Sequence, residues 1–555
     1  MSSILYLKKR QCIIYYTFQW GEGNIKQTDN INKPVLWLAV IPFLFIMILA
    51  VTFPESFRQT TTFIREFLGI HFGWFYLMVV FLCVVISIVV IFHPMGKIRL
   101  GDPDSKPEYS TFSWIAMLFS AGMGIGLVFY GATEPLSLYA VSAPEASLYS
   151  QQAMLDALKY SFFHYGISAW AVYGMVALTI AYFKYRKKEV PNISSTLKPL
   201  FGKYTEGKLG YVVDALTIFA TVVGVATSLG LGAVQINSGL NYLFGVIQSI
   251  NVQIVIIAIA TVLFLSSAVS GINRGVKLLS NTNILLAILL MLIALSIGPS
   301  LDIANFFIES IGAYMNDFIR LSFRTAASGT LAQQDWVQTW TVYYWAWWIS
   351  WSPFVGVFIA NISKGRTIRE FLTYILLVPS LFSFIWFSVF GTLAMDIATP
   401  GNPIIGMSVD QMLFGVFNQY PLSIILSVIA IILVIIYFIT SADSATVVLA
   451  ILSENGNENA SNRTKIIWGV ILASIATILL INGGLDALQN ILIITAFPFS
   501  IILALIVVSV FRELIYEKDE MGLTVKAETH PTKDNPFKSY EDNLSEEGDE
   551  LSEDG

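Results

Sequence analysis

Apolar residues run along this chain in long uninterrupted blocks. Blocks of about 20 residues, the length a helix needs to cross a bilayer, begin near Val35, Phe75, Phe112, Tyr160, Tyr211, Val252, Asn281, Trp336, Phe371, Pro421, Lys465 and Leu488. The pattern predicts an all-α polytopic membrane protein with about twelve transmembrane helices. Between the seventh and eighth blocks the pattern changes. From Ser300 to Gln334 the apolar positions, among them Ile303, Phe306, Phe307, Ile311, Met315, Phe318, Ile319 and Phe323, recur at helical spacing among polar ones. This predicts an amphipathic helix lying along the outer surface. Beyond Arg512 the chain turns polar, and the acidic run from Glu541 to Glu550 predicts a disordered tail.

Composition agrees with the pattern. Only 13% of the residues are charged and 55% are hydrophobic, against about 25% charged in soluble domains. The net charge of −6 says little about partners because much of the acid sits in the tail, and no nucleic-acid partner is expected. Cys12 and Cys83 are far apart, so disulfide and metal chemistry have no support. Lys8-Lys9-Arg10 precedes only a short apolar patch, unlike a cleavable signal peptide. Lysine and arginine crowd the loops after the even-numbered blocks, from Lys97, Arg99 and Lys106 to Arg463 and Lys465. The opposite loops hold only Arg58, Arg65, Arg320 and Arg324. The positive-inside rule therefore places both termini of a multi-pass membrane protein in the cytoplasm. The expected divisions are a leader over 1–33, two helices over 34–111, a first set of five over 112–299, the surface helix over 300–335, a second set of five over 336–513 and the tail over 514–555.

The eighth block packs Trp345, Trp347, Trp348 and Trp351 into seven positions, followed at once by Ser352-Pro353. On a helix the four indoles spread over roughly 160° in the order Trp347, Trp351, Trp348, Trp345. Indole is the best aromatic face for a cation that donates no hydrogen bond, such as a quaternary ammonium. An interfacial aromatic belt explains one or two tryptophans at a helix end, but fits four in mid-block poorly. The third block contains Gly122-Met123-Gly124-Ile125-Gly126. Glycines two apart lie about 200° apart on a helix, so they suit an unwound stretch better than a packing face, whose small residues recur every four. Unwound backbone at membrane depth lines cavities and binds carboxylates or cations. The third and eighth blocks thus each carry a weak point, one made by glycines and one by Ser352-Pro353. The fourth block offers Tyr165, Trp170 and Tyr173 on one side of a helix, although ordinary aromatic packing accounts equally well for each alone. His164 reads as a packing residue rather than a proton carrier.

Buried hydroxyls mark two further places: Thr217, Thr221, Thr227 and Ser228 in the fifth block, and Thr440, Ser441, Ser444 and Thr446 around Asp443 in the tenth. Such oxygens are the hard ligands that sodium needs, though a lone threonine more simply bonds its own helix. Asp443, an ionisable group inside an apolar block, is a functional candidate by default. No paired carboxylates, metal-ligand spacing or nucleophile with a base suggest an enzyme.

These stretches resemble the betaine/carnitine/choline transporter family. The likeness lies in Gly122–Gly126, in Trp345–Gly356 continuing into Ile362-Ser363-Lys364-Gly365-Arg366, in Thr440-Ser441-Ala442-Asp443-Ser444, and in Asp214–Ser228 through Gly232. It extends over nearly everything from about 33 to 513. The resemblance implies a five-plus-five inverted-repeat core preceded by two extra helices, a homotrimer, and secondary transport of a trimethylammonium osmoprotectant. It implies a central aromatic box of Trp348, Tyr165, Trp170 and Tyr173, with Tyr165 where a tryptophan is often found. It further implies flanking pathway residues at Trp345, Trp347 and Trp351, and the substrate carboxylate near Gly122, Met123, Gly124 and Gly126, with Ser228 close by. One sodium is implied at positions matching Ser120, Met123, Tyr437, Thr440 and Ser441, and another at Thr221, Val225 and Phe354. Val225 departs from that pattern, since its side chain offers no oxygen. At Gly126, proton-coupled choline carriers of the family tend to have aspartate, and its absence favours sodium and glycine betaine. The expectation is therefore sodium symport of glycine betaine with no cofactor beyond the coupling ion. The alternatives are a proton-coupled choline or carnitine carrier or exchanger, and an osmolyte sensor that transports nothing.

Overall fold

A computed structural model of the chain describes residues 31–122, 124–270 and 273–523. The expected leader (1–33) and tail (514–555) therefore lie largely outside the described residues. Two N-terminal helices, α1 (Lys33–Thr52) and α2 (Pro54–Phe92), precede α3 (Thr111–Gly122), α4 (Ile125–Ala140), α5 (Gln151–Tyr165) and α6 (Ile167–Ala181). A short α7 (Lys198–Phe201) leads into the long α8 (Lys208–Phe244), α9 (Ile250–Ser270) and α10 (Asn273–Ile297). The surface helix α11 (Ser300–Ser322) and a short α12 (Leu331–Val337) lead to α13 (Tyr343–Asn361) and α14 (Ile368–Asp396). The chain closes with α15 (Val409–Asn418), α16 (Ser423–Ser453), α17 (Asn462–Ile481) and α18 (Gly484–Glu520).

Among the described residues ten helical stretches are long and apolar enough to cross a membrane. The third and eighth blocks are not among them, although both are helical. The third is cut into α3 and α4, and the eighth is diluted by indoles and hydroxyls. On α1, α2, α9 and α10 many apolar side chains, such as Trp37, Phe45, Ile70, Val262 and Leu285, face outward. That surface suits hydrocarbon, and a helix satisfies its own backbone, as a bilayer requires.

The glycine-rich break occurs where expected: α3 ends at Gly122, Gly124 is extended (φ −124°, ψ −161°), and α4 begins at Ile125. The expected weak point at Ser352-Pro353 does not: α13 runs unbroken through Pro353. Proline removes the N–H that would bond the carbonyl four residues back. The Ser352 hydroxyl donates to that carbonyl, Ile349 O, at 2.8 Å, so the helix loses no acceptor pairing. A break the sequence did not suggest separates α5 from α6 at Gly166 (φ −95°, ψ −139°). There an added Cβ would lie 2.6 Å from the Phe384 ring, so only glycine fits the approach.

The basic loops gather on one face. Leu100 N–H donates to Arg366 O, Arg99 bonds Gly365 O at 2.7 Å, and Arg186 bonds Gly101 O at 2.9 Å. Arg366, 1% exposed, lies 4.0 Å over the Trp114 ring and pairs with Glu370. On the opposite face Lys159 and Arg320 both hold Asp317, and Arg320 also pairs with Glu145, which ties α11 to α5. Burial works to raise the Asp317 carboxyl, but hydrogen bonds from Arg320 and Lys159 outweigh it and hold it at about 2. On α11, Ile303, Tyr314 and Leu321 pack inward, while Met315 and Ile319, two of the apolar positions that recur at helical spacing, stay exposed.

Candidate functional site

A narrow cavity lies between α4, α5, α6 and α13. Its walls are aromatic. Tyr165, at the end of α5, and Trp170 and Tyr173, on α6, face Trp347, Trp348 and Trp351 on α13. Close packing of α13 on α6 brings the two sets together, since a Cβ on Gly356 would lie 2.6 Å from Val176. Successive rings meet near right angles, as the walls of a box do. Tyr165 and Trp348 are 5.2 Å apart at 73°, Tyr173 and Trp348 6.1 Å at 77°, and Trp170 and Tyr173 5.4 Å at 81°. Trp347 stacks on Trp348 at 5.1 Å and 9°.

The unwound stretch supplies another wall. Gly124 and Gly126 line the cavity, and both lie close against a ring of α13. A Cβ on Gly124 would lie 3.0 Å from the Trp351 ring, and one on Gly126 would lie 2.7 Å from Trp347. The Tyr165 hydroxyl donates to Gly126 O at 3.3 Å, which links α5 to the start of α4. Trp347 Nε1 donates to Ser228 Oγ at 3.3 Å and Trp348 Nε1 to His164 O at 2.8 Å. Two donors on the lining rings, Tyr173 Oη and Trp351 Nε1, are buried and have no partner among the described residues. Buried polar groups are nearly always paired, so both retain capacity to donate. No charged side chain lines the cavity among the described residues.

Not every expected residue is there. Trp345 packs instead on Phe163 (5.1 Å) and His164 (5.9 Å) and is absent from the lining. Ser228 reaches the cavity only through Trp347. Met123, and the side chains of Ser120 and Gly122, lie outside the described residues. The remaining positions expected around sodium are all buried: Tyr437, Thr440, Ser441, Thr221 and Phe354. Thr221 donates to Thr217 O at 2.7 Å and Thr440 to Ile436 O at 2.8 Å. A hydroxyl that donates to its own helix, as a lone threonine simply does, still keeps acceptor lone pairs. Val225 offers none, and Phe354 meets Trp351 edge-on at 5.6 Å.

Sequence reasoning missed Leu127, Ala169 and Ser383 in the lining. It also missed Glu134 on α4, which is fully buried and accepts hydrogen bonds from Tyr344 Oη (2.5 Å) and His164 Nδ1 (2.7 Å). Glu134 carried a signal, because an ionisable residue inside an apolar block is a candidate by default.

The aromatic walls and the unwound glycine stretch thus enclose one cavity, and comparison with known proteins gives the family. The family model described as BCCT, betaine/carnitine/choline family transporter, matches residues 34–519. The chain belongs to the BCCT family. It is a transporter of that family and not an enzyme. It is 50% identical over 488 residues to the glycine betaine transporter OpuD of Bacillus subtilis (strain 168), covering 88% of this chain and 95% of that one. An ectoine/hydroxyectoine transporter of Virgibacillus pantothenticus is 40% identical over 492 residues, covering 88% and 97%. The osmo-dependent choline transporter BetT2 of Acinetobacter baylyi (strain ATCC 33305 / BD413 / ADP1) is 33% identical over 497 residues, covering 88% and 72%. BCCT relatives of this chain therefore carry names with more than one compatible solute.

Proposed function

We propose that this BCCT transporter imports glycine betaine by sodium symport with alternating access, as a homotrimer in the bacterial plasma membrane with both termini cytoplasmic. The observation that carries the substrate is the box of perpendicular aromatic walls, which suits a methylated ammonium that offers no proton. The unpaired donors Tyr173 Oη and Trp351 Nε1 suit the carboxylate at the other end of a zwitterion. Glycine betaine presents both groups, and choline presents only the first. Gly126 supports this choice, since an aspartate there would displace Trp347. Sodium rests on the buried hydroxyls of Thr221, Thr440 and Ser441, with Val225 arguing for a reduced second site. The orientation rests on the clustering of the basic loops on one face.

The test is uptake of radiolabelled glycine betaine into proteoliposomes with and without an inward sodium gradient. Accumulation with the gradient and none without it supports symport, whereas equal uptake in both rejects the coupling. Competition by choline, carnitine and ectoine ranks the substrates, and binding without accumulation under any gradient identifies a sensor.

A further inference from the structure

Behind the box lies a charged group that the transport reading above does not use. Glu134 and His164 are both 0% exposed, and the carboxylate accepts from His164 Nδ1–H and from the Tyr344 hydroxyl. His164 Nε2 meets Thr341 Oγ1 at 3.1 Å. The His164 ring stacks on Tyr344 at 4.7 Å and 27°, and Tyr344 stacks on Trp348 at 5.9 Å and 20°. A column of three near-parallel rings thus runs from the acid–imidazole pair to the box wall. The His164 carbonyl also takes the Trp348 indole N–H, so the same residue fixes both ends of the column.

Among the described residues Glu134 contacts no lysine or arginine. Arg324 stacks on Trp336 at 5.1 Å, and that ring is 6.4 Å from His164. Lys159 is engaged by Asp156 and Asp317. Burying a carboxylate is costly unless it is paired and hydrogen-bonded, and here bonds from the His164 ring and the Tyr344 hydroxyl hold it one ring behind the wall of the box.

We propose that Glu134 is a specificity-determining residue: its charge, held behind Trp348 by Tyr344 and His164, favours a cationic head group over a neutral one of the same shape. This rests on the aromatic box being the substrate site. It makes the box selective by field as well as by shape, although no acid touches the ligand. A unit charge roughly 10 Å from the ammonium, at an effective dielectric constant near 20, corresponds to a preference of about tenfold.

The experiment measures inhibition constants against radiolabelled glycine betaine in proteoliposomes of the full chain. The two inhibitors are unlabelled glycine betaine and 3,3-dimethylbutanoate, which has carbon in place of the quaternary nitrogen. In Glu134→Gln, the ratio of the 3,3-dimethylbutanoate constant to the glycine betaine constant is expected to fall about tenfold, since the two ligands share a carboxylate and differ only in the charge of the head. A purely structural role shifts both inhibitors equally or neither, and either result overturns the proposal. Glu134→Asp keeps the charge on a shorter arm. Its preference for the cationic head should stay within threefold of wild type even if both ligands bind more weakly, and loss of that preference also overturns the proposal. Where Glu134→Gln does not fold, Glu134→Met, an uncharged side chain of similar size, is read for the same change in the ratio, and an unchanged ratio overturns the proposal. Wild type that fails to bind glycine betaine defeats the box reading itself, an outcome distinct from wild type that binds while the variants keep its pattern.

Discussion

Trp348 and Trp345 offer a direct comparison, because one helix buries both and only one meets the cavity. Trp348 is 6% exposed and lines the box, whereas Trp345 is 1% exposed and packs on Phe163 and His164. Trp348→Leu removes a ring face from a desolvated site, where a cation–π contact is worth about 2 kcal/mol. It also frees His164 O by deleting the indole donor at 2.8 Å. Glycine betaine should then bind about 10- to 30-fold more weakly, since each 1.4 kcal/mol is a factor of ten. Trp345→Leu removes a similar volume from the core, so it should lower the melting temperature of the purified protein by a comparable amount. Its effect on affinity should stay within threefold. The assay is isothermal titration with glycine betaine in detergent, paired with thermal denaturation of each variant. Equal affinity losses in the two variants, or unchanged affinity in Trp348→Leu, would refute the assignment of the box.

Three further outcomes follow from the same geometry. Gly126→Ala places a methyl group 2.7 Å from the Trp347 ring. Overpacking of this kind costs about 1–3 kcal/mol, and the displaced indole should weaken glycine betaine binding measured by tryptophan fluorescence. Gly166→Ala drives a methyl group into Phe384 at 2.6 Å and should lower the melting temperature while Gly174→Ala, with its nearest neighbour at 3.4 Å, lowers it less. Asp317 titrates near 2 when folded, against an ordinary value of 3.8. A depressed folded value contributes stability above the unfolded one and loses it as pH falls toward the folded one. The melting-temperature difference between wild type and Asp317→Asn should therefore be constant from pH 7 to about 4.5 and shrink between about 4 and 2. A difference that fades between pH 7 and 5 would show that another group is responsible.

The parts legible in the sequence are those written in composition and short-range pattern. Long apolar blocks gave the helices, and four indoles in one block marked the site before any fold was known. What remained hidden depends on which side of a helix faces which neighbour. The four tryptophans span about 160° of α13, and the cavity takes only Trp347, Trp351 and Trp348. Trp345, at the far end of that arc, faces α5. Ser352-Pro353 was misread because proline signals a lost donor, and no local rule shows that Ser352 makes good the acceptor at Ile349. Tyr165, Trp170 and Tyr173 share the cavity even though Gly166 breaks the helix assumed to join them. Ser383 had no signal at all, being one serine among many in an apolar helix.

The distribution of breaks bears on how such a box works. Trp347, Trp348 and Trp351 all sit on α13, which stays helical through its proline, so their relative orientation is fixed by one rigid element. A binding constellation on a continuous helix is held more precisely than one on loops. The facing wall is built differently: Gly124 interrupts α3 and α4, Gly166 interrupts α5 and α6, and the Tyr165 hydroxyl bonds Gly126 O between the two breaks. Backbone that leaves helical pairing at membrane depth is tolerated where it borders a cavity, and its freed groups are available to a ligand. The rigid side thus offers preformed ring faces for the methylated nitrogen. The broken side offers backbone polarity and two points at which a helix can bend. Burial of Glu134 on α4, bonded across to Tyr344 on α13, couples the broken side to the rigid one at the position where the rings close.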